Sequence, residues 1–207
     1  DLRAANGLDV NGGSNDNLIK ANLAYSNDDS GIQFYSGSSR NLVVRNVSFN
    51  NGDHGFDTNL ATDTRYISNT AYNNFDDGIN VEGGAINTVL SDNICVDNGL
   101  TTDKINLRVD PSASVGFVSD HDVFFRSTVG NNVQFNGVTY ATLAAYSAAT
   151  GNEAHGIGAD PLFVDPAVRT AGGNYGREAG GKRCGDEQNR RNPKAEAHGP
   201  FRIANGL

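Results

Sequence analysis

Three aspartates, Asp29, Asp53 and Asp76, stand 24 and 23 residues apart, each two residues ahead of a glycine: Gly31, Gly55 and Gly78. If those glycines mark equivalent places in stacked turns, the three carboxyl groups lie about 5 Å apart, the spacing of neighbouring strands. Carboxylates held that close repel, so the column must share a proton or take up a hard cation with oxygen ligands, for which Ca²⁺ is suited. Asp28 and Asp77 flank the column and Asp57 extends it along the next strand. The candidate metal ligands are therefore Asp29, Asp53, Asp57, Asp76 and Asp77. A plainer account of the same residues is that aspartate suits turns because its side chain bonds nearby backbone N–H groups. Two cations follow on the next turn, Lys104 and Arg108. They can pair with an acidic ligand, serve as a base, or simply balance an acidic surface.

The elements that must carry these groups are set by the same period. Gly7, Gly31, Gly55 and Gly78 recur at steps of 24, 24 and 23, and each is followed by an apolar-polar-apolar or Thr triplet: LDV, IQF, FDT, INV. A fixed period in the twenties describes a solenoid. The alternation is that of strands, with Ile32, Phe34, Phe56, Thr58, Ile79 and Val81 facing inward. Two asparagine columns keep the step: Asn22, Asn46, Asn69, Asn93 and Asn27, Asn51, Asn74, Asn98. Stacked amides can each donate and accept, so both columns read as internal ladders. Strand-like runs such as LVVRNVSF precede the first ladder, and no segment between them has helical length. The expected fold is all-β, a right-handed parallel β-helix of about five recognisable turns. A leucine-rich repeat has a similar period but needs a leucine density that this chain lacks.

Counting on past residue 98, Lys104 falls in the glycine column, and INLRV matches the strand after it, with His121 in the Asn93 position. Residues 1–137 are then the repeats and 138–167 a cap in which TLAAYSAAT is the one short helix, placed to cover an end of the stack. Residues 168–207 form an irregular Gly- and Arg-rich tail. The outward column two residues after glycine runs Asp9, Gln33, Asp57, Asn80, Asn106, and the next runs Asn11, Tyr35, Asn59, Glu82, Arg108. Carboxamides beside an aromatic ring suit sugar hydroxyls and ring faces, so Gln33, Tyr35, Asn59, Asn80, Glu82 and Asn106 are the candidate substrate contacts.

The net charge of −8 argues against nucleic acid as a partner. It is unevenly spread: the tail from Val168 holds 8 Lys and Arg against 4 acids, leaving 8 against 20 for the rest. No apolar stretch approaches the length of a membrane span. The two cysteines, Cys95 and Cys184, form no disulfide framework, and Cys95 reads as a small core filler. The chain starts within a repeat and contains no Met, so it is expected to act as a monomer or as a piece of a longer chain.

NVSFNNGDHGFDTN (46–59) and ISNTAYNNFDDGINV (67–81) resemble the repeats of secreted right-handed β-helix proteins, most closely the family 9 polysaccharide lyases, which are pectate lyases. ADPLFVDPA (159–167) is similar to a segment near the C-terminus of many such proteins. The resemblance implies a secreted protein that binds Ca²⁺ through acids matching Asp29, Asp53 and Asp57 and cleaves an acidic polysaccharide such as pectate by β-elimination. In that pattern a lysine two residues after a later glycine is the base. Here the column offers Gln33, Asn80 and Asn106 instead, and His54 stands where the family pairs a second Asp. A lyase built on this chain would have to use Lys104 or Arg108. The competing expectation is a non-catalytic glycan-binding or adhesion segment of a larger surface protein.

Overall fold

The structure is a computed structural model, and it describes residues 5–163. The chain winds through five turns of three short strands each and begins a sixth. The first sheet stacks Leu8–Val10, Ile32–Phe34, Phe56–Asn59, Ile79–Glu82, Leu107–Val109 and Val133–Phe135 in parallel, and Val138–Tyr140 closes it antiparallel. The second sheet runs from Leu18–Lys20 through Leu42–Val44, Arg65–Ile67 and Val89–Ser91 to Val118–Asp120. The third runs from Leu23–Tyr25 to Val123–Phe125.

The corners turn through left-handed residues, two or three of them where the first sheet leads to the second in the first four turns, as at Gly12, Gly13 and Asp16, and one where the second leads to the third. Between second- and third-sheet strands these are Ala21, Arg45, Ser68, Asp92 and His121, with φ from 55 to 65°, and the next corner places Ser26, Asn50, Asn73 and Asp97 there at 50 to 54°. Asn and Asp tolerate that region better than other non-glycine residues, and they fill many of the corner positions.

Inside the corners run the ladders. Asn22 Nδ2 donates to Asn46 Oδ1 at 2.9 Å, Asn46 to Asn69 at 3.0 Å and Asn69 to Asn93 at 3.0 Å. From Asn46 onward each rung also bonds the preceding turn's backbone, as Asn69 Nδ2 does with Val43 O at 2.9 Å. The second ladder, Asn27, Asn51, Asn74 and Asn98, is joined by 2.8 Å bonds. It also explains the glycine column. A Cβ on Gly78 would lie 2.6 Å from Asn98 Nδ2 and 2.6 Å from the Asn106 carbonyl, so only glycine leaves room for the ladder amide. Ile32, Phe34, Phe56, Thr58, Ile79 and Val81 are fully buried as their alternation required, and Tyr66 fills the centre, its hydroxyl 2.6 Å from Thr58 Oγ1. Cys95 is a buried free thiol.

The register past residue 98 differs from simple counting. Ile79 pairs with Leu107 and Asn80 with Arg108, so Asn106, not Lys104, occupies the glycine column. Gly99 to Lys104 make a local excursion, closed by Lys104 N donating to Gly99 O at 3.1 Å. Asn106 then points inward, accepts from Asn98 Nδ2 at 2.8 Å and donates to Asn132 Oδ1 at 2.7 Å. The ladder corner of that turn carries Ser127, which has no amide, and Asn106 supplies the rung from within. Its assignment to the outer surface is thereby corrected. One corner away, Asp122 and not His121 accepts from Asn93 Nδ2, at 2.9 Å.

The helix is Leu143–Thr150, capped by the Thr142 hydroxyl accepting from Ala145 N at 3.2 Å and ended by Gly151 at φ 76°. It buries Leu143 and Tyr146 on the end of the core. The tail at 168–207 and the last part of ADPLFVDPA, 164–167, lie outside the described residues.

Candidate functional site

The chemistry-bearing residues collect where the chain leaves the third sheet and enters the first. Position by position, two columns run up this edge: Asp29, Asp53, Asp76, Lys104, and beside it Ser30, His54, Asp77, Ile105. Backbone bonds hold them in register, with Asp76 N donating to Asp53 O at 3.1 Å and Gly55 N to Asp77 O at 3.0 Å. The first column is the acidic one foreseen, and Lys104 completes it, its ammonium 3.2 Å from Asp76 Oδ2 with 38% of the side chain exposed.

Burial raises Asp53 to about 7. The nearby His54 opposes the shift, and a hydrogen bond and charge from Asp29, with charge from Asp76, add to it. A carboxyl group poised there exchanges its proton near neutrality. Burial likewise raises Asp57 to about 6. Its oxygens are engaged on the sheet face, accepting from Gln33 Nε2 at 2.7 Å and Asn80 Nδ2 at 3.1 Å.

His54 is the hub, and only 11% of its side chain is exposed. Its Nδ1 accepts from Asp77 N at 3.1 Å, which in the neutral ring leaves the proton on Nε2. Nε2 lies 3.5 Å from Asp53 Oδ1 and 3.2 Å from the Asn80 amide, whose oxygen is otherwise buried without a partner. Burial disfavours a charged imidazole, but the carboxylates of Asp53, Asp57, Asp77 and Asp76 together hold its proton affinity above the ordinary histidine value. A second proton, on Nδ1, must break the contact with Asp77 N.

Asp77 is fully buried and spent on structure. Its Oδ1 accepts from Ile105 N at 2.9 Å and its Oδ2 from Arg108 Nε at 2.7 Å. The Arg108 guanidinium also donates to Gln134 Oε1. The outward first-sheet residues Gln33, Asp57 and Asn80 are thus one bonded chain, with Asn6 donating to Gln33 from the corner below and Arg108 and Gln134 above.

The residues singled out from sequence therefore separate into three groups. Asp29, Asp53 and Asp76 face one another with Lys104, and ligand atoms of Asp53, His54 and Asp76 come within 4.8 Å of each other. Asp57, Asp77, Gln33, Asn80 and Arg108 lie next to them but are bonded to protein partners. Tyr35, at 42% exposure, and the bonded pair Asn59 and Glu82, 2.8 Å apart, form the open rim. As a cation site the stacked carboxyls fit: Asp29, Asp53 and Asp76 offer oxygens, while those of Asp57 and Asp77 are committed elsewhere. His54 and Gln134 were not legible as site residues, although His54 sits one residue before a glycine in the column that also holds Asp77.

The sequence profile for the right handed beta helix region matches residues 3–132, and the chain belongs to that family. No curated protein and no solved structure matches it. No helix among the described residues is long and apolar enough to cross a membrane.

Proposed function

We propose that this edge is the working site of a secreted, Ca²⁺-dependent lyase that cleaves an acidic, uronate-containing polysaccharide such as pectate. The observation that carries the reading is the stack of Asp29, Asp53 and Asp76 capped by the Lys104 ammonium beside a polar sheet face. Ca²⁺ held by those three carboxylates would supply the positive charge that makes the C5 proton of a bound uronate easier to remove. Were a cation to take Asp76 as a ligand, Lys104 would lose its ion-pair partner, and its ammonium would have to give up a proton to solvent to leave a neutral amine beside the substrate. Lys104 is then the base in this proposal: it removes the C5 proton, the C4–O bond breaks, a C4=C5 double bond forms, and the leaving oxygen takes a proton from solvent. Arg108 is the weaker candidate, since its guanidinium already donates to Asp77 and Gln134 and carries no free lone pair. It positions Asp77. Tyr35, Asn59 and Glu82 would contact the sugar.

A second reading has its own support. Both cations stand in ion pairs, Lys104 with Asp76 and Arg108 with Asp77, an arrangement equally suited to a non-catalytic glycan-binding surface. Incubation with polygalacturonate, alginate and other uronates, following absorbance of the unsaturated uronide with Ca²⁺ or with chelator, separates the two. Ca²⁺-dependent product that Lys104→Ala abolishes supports the lyase. Absence of product with every uronate under calcium-replete conditions, together with retarded migration in a glycan-containing gel, favours the binding surface.

A further inference from the structure

A second cluster lies elsewhere on the molecule, where the fifth turn meets the cap. Asp120 ends a second-sheet strand, His121 is the left-handed corner residue after it, and His155 comes from the loop that follows the helix. Asp120 Oδ1 accepts two backbone N–H bonds, from His121 at 2.9 Å and from His155 at 2.8 Å. That fixes the carboxylate and turns its other oxygen outward. Oδ2 is met by both imidazoles through the same ring atom, His155 Nδ1 at 2.8 Å and His121 Nδ1 at 3.4 Å. The rings lie face to face, centroids 4.7 Å apart and 17° from parallel. All three ligating atoms fall within 4.8 Å of one another.

We propose that Asp120, His121 and His155 bind a borderline divalent transition-metal ion such as Zn²⁺, which ties the cap loop to the last turn of the solenoid. Zinc bonds of about 2.0–2.1 Å in a tetrahedral arrangement set neighbouring ligand atoms roughly 3.4 Å apart. The His121 contact already has that span; the His155 contact needs to open by roughly 0.6 Å on the same geometry, and the near-parallel rings must swing apart so that both Nδ1 lone pairs converge on the ion. Two imidazole nitrogens and one carboxylate oxygen favour Zn²⁺, Cu²⁺ or Ni²⁺ over Ca²⁺, which takes oxygen ligands. Solvent supplies the fourth position, since both histidines are more than half exposed. The backbone bonds to Asp120 Oδ1 are the outer-shell support that orients a metal-binding carboxylate. The corner conformation of His121 is shared by every equivalent residue in the solenoid. The cluster shares no residue with the acidic edge.

The test is a Zn²⁺ titration of the whole chain by calorimetry, with thermal unfolding in parallel. Wild type should bind about one equivalent and melt higher with Zn²⁺, a shift that chelator reverses. His155→Ala and His121→Ala should each weaken binding tenfold or more, while Asp53→Asn leaves it intact. Both histidines are exposed, and unchanged circular dichroism without metal verifies that the variants fold. Substituting Co²⁺ and reading its visible bands, present in wild type and lost in His155→Asn, gives a check independent of stability. No Zn²⁺ binding by wild type overturns the proposal. So does binding that survives both histidine substitutions, or binding that Asp53→Asn removes, which would assign the ion to the acidic edge.

Discussion

The asparagine ladders and the acidic edge are made by one device, identical residues brought into register every 23 or 24 positions, and they have opposite consequences. An amide both donates and accepts, so a column of them satisfies itself. Asn46, Asn69 and Asn93 are buried with each side-chain nitrogen bonded to the next rung and to a backbone carbonyl. An ionised carboxylate only accepts. The same stacking at Asp29, Asp53 and Asp76 leaves a demand for something positive, met in part by the proton that Asp53 holds to about 7 and by Lys104. Stacking alone therefore builds scaffold from one residue type and a reactive edge from its near-isostere.

The sharpest way to break that contrast is inside the ladder. Asn69→Ala leaves the buried Asn46 backbone N–H without its acceptor and removes one of two partners each from Asn46 Nδ2 and Asn93 Oδ1, and should destabilise by about 1–3 kcal/mol in chemical denaturation. The same change at the exposed first rung, Asn22, should cost less, and equal effects would mean that burial of the column is irrelevant.

Asp122 is the place where the two regions mix, a carboxyl group occupying an amide rung. Where the other rungs put an amide donor it has a carboxyl oxygen, which lies against Glu153, another buried acid that accepts from Asp122 N at 3.1 Å and shares a hydrogen bond with the Asp122 carboxyl. Burial, then the charge of Glu153, raise Asp122 to about 9. Because this lies above the unfolded value of about 3.9, stability should fall as pH rises from about 4 to about 9 and level off beyond. Asp122→Asn restores the repeat, supplies a donor and removes that slope. It should stabilise by on the order of 1–3 kcal/mol at pH 7 and little at pH 4; a destabilising effect at pH 7 would show that the rung needs the acid.

Smaller still is the exposed Arg40 and Asp16 pair, also one turn apart, at 2.7 Å. Both side chains are more than half exposed, and Arg40→Ala should leave the melting temperature nearly unchanged at physiological salt. Stacked charges matter here only where water is excluded.

The period made the architecture legible. Gly7 to Gly78 and the two asparagine columns kept an even step, and the triplets after glycine identified the inward residues through Val81. Counting failed where the step broke. The excursion from Gly99 to Lys104 shifts the strand by two residues, which takes Asn106 off the outer face and sets Arg108 beside Asn80. Nothing local signals that shift, because it is decided by which amide can complete a ladder of buried rungs. The acidic stack was readable for the same reason as the ladders. The role of His54 was not, since it depends on a ring folding over the sheet to reach Asp77 and Asn80. Asp120 and His155 are 35 residues apart and share no period, so only the packed cap reveals their contact.

The central claim is that the stacked carboxyls at the acidic edge take up a cation when they give up their proton. Calorimetric titration with Ca²⁺ at pH 5.5 and pH 8, in two buffers of different ionisation enthalpy, measures both at once. Since Asp53 holds its proton to about 7, binding should be tighter at pH 8, should release protons at pH 5.5, and should be lost in Asp53→Asn. Absence of Ca²⁺ binding at pH 8, or binding that Asp53→Asn leaves unchanged, would contradict the account and make these aspartates turn residues alone.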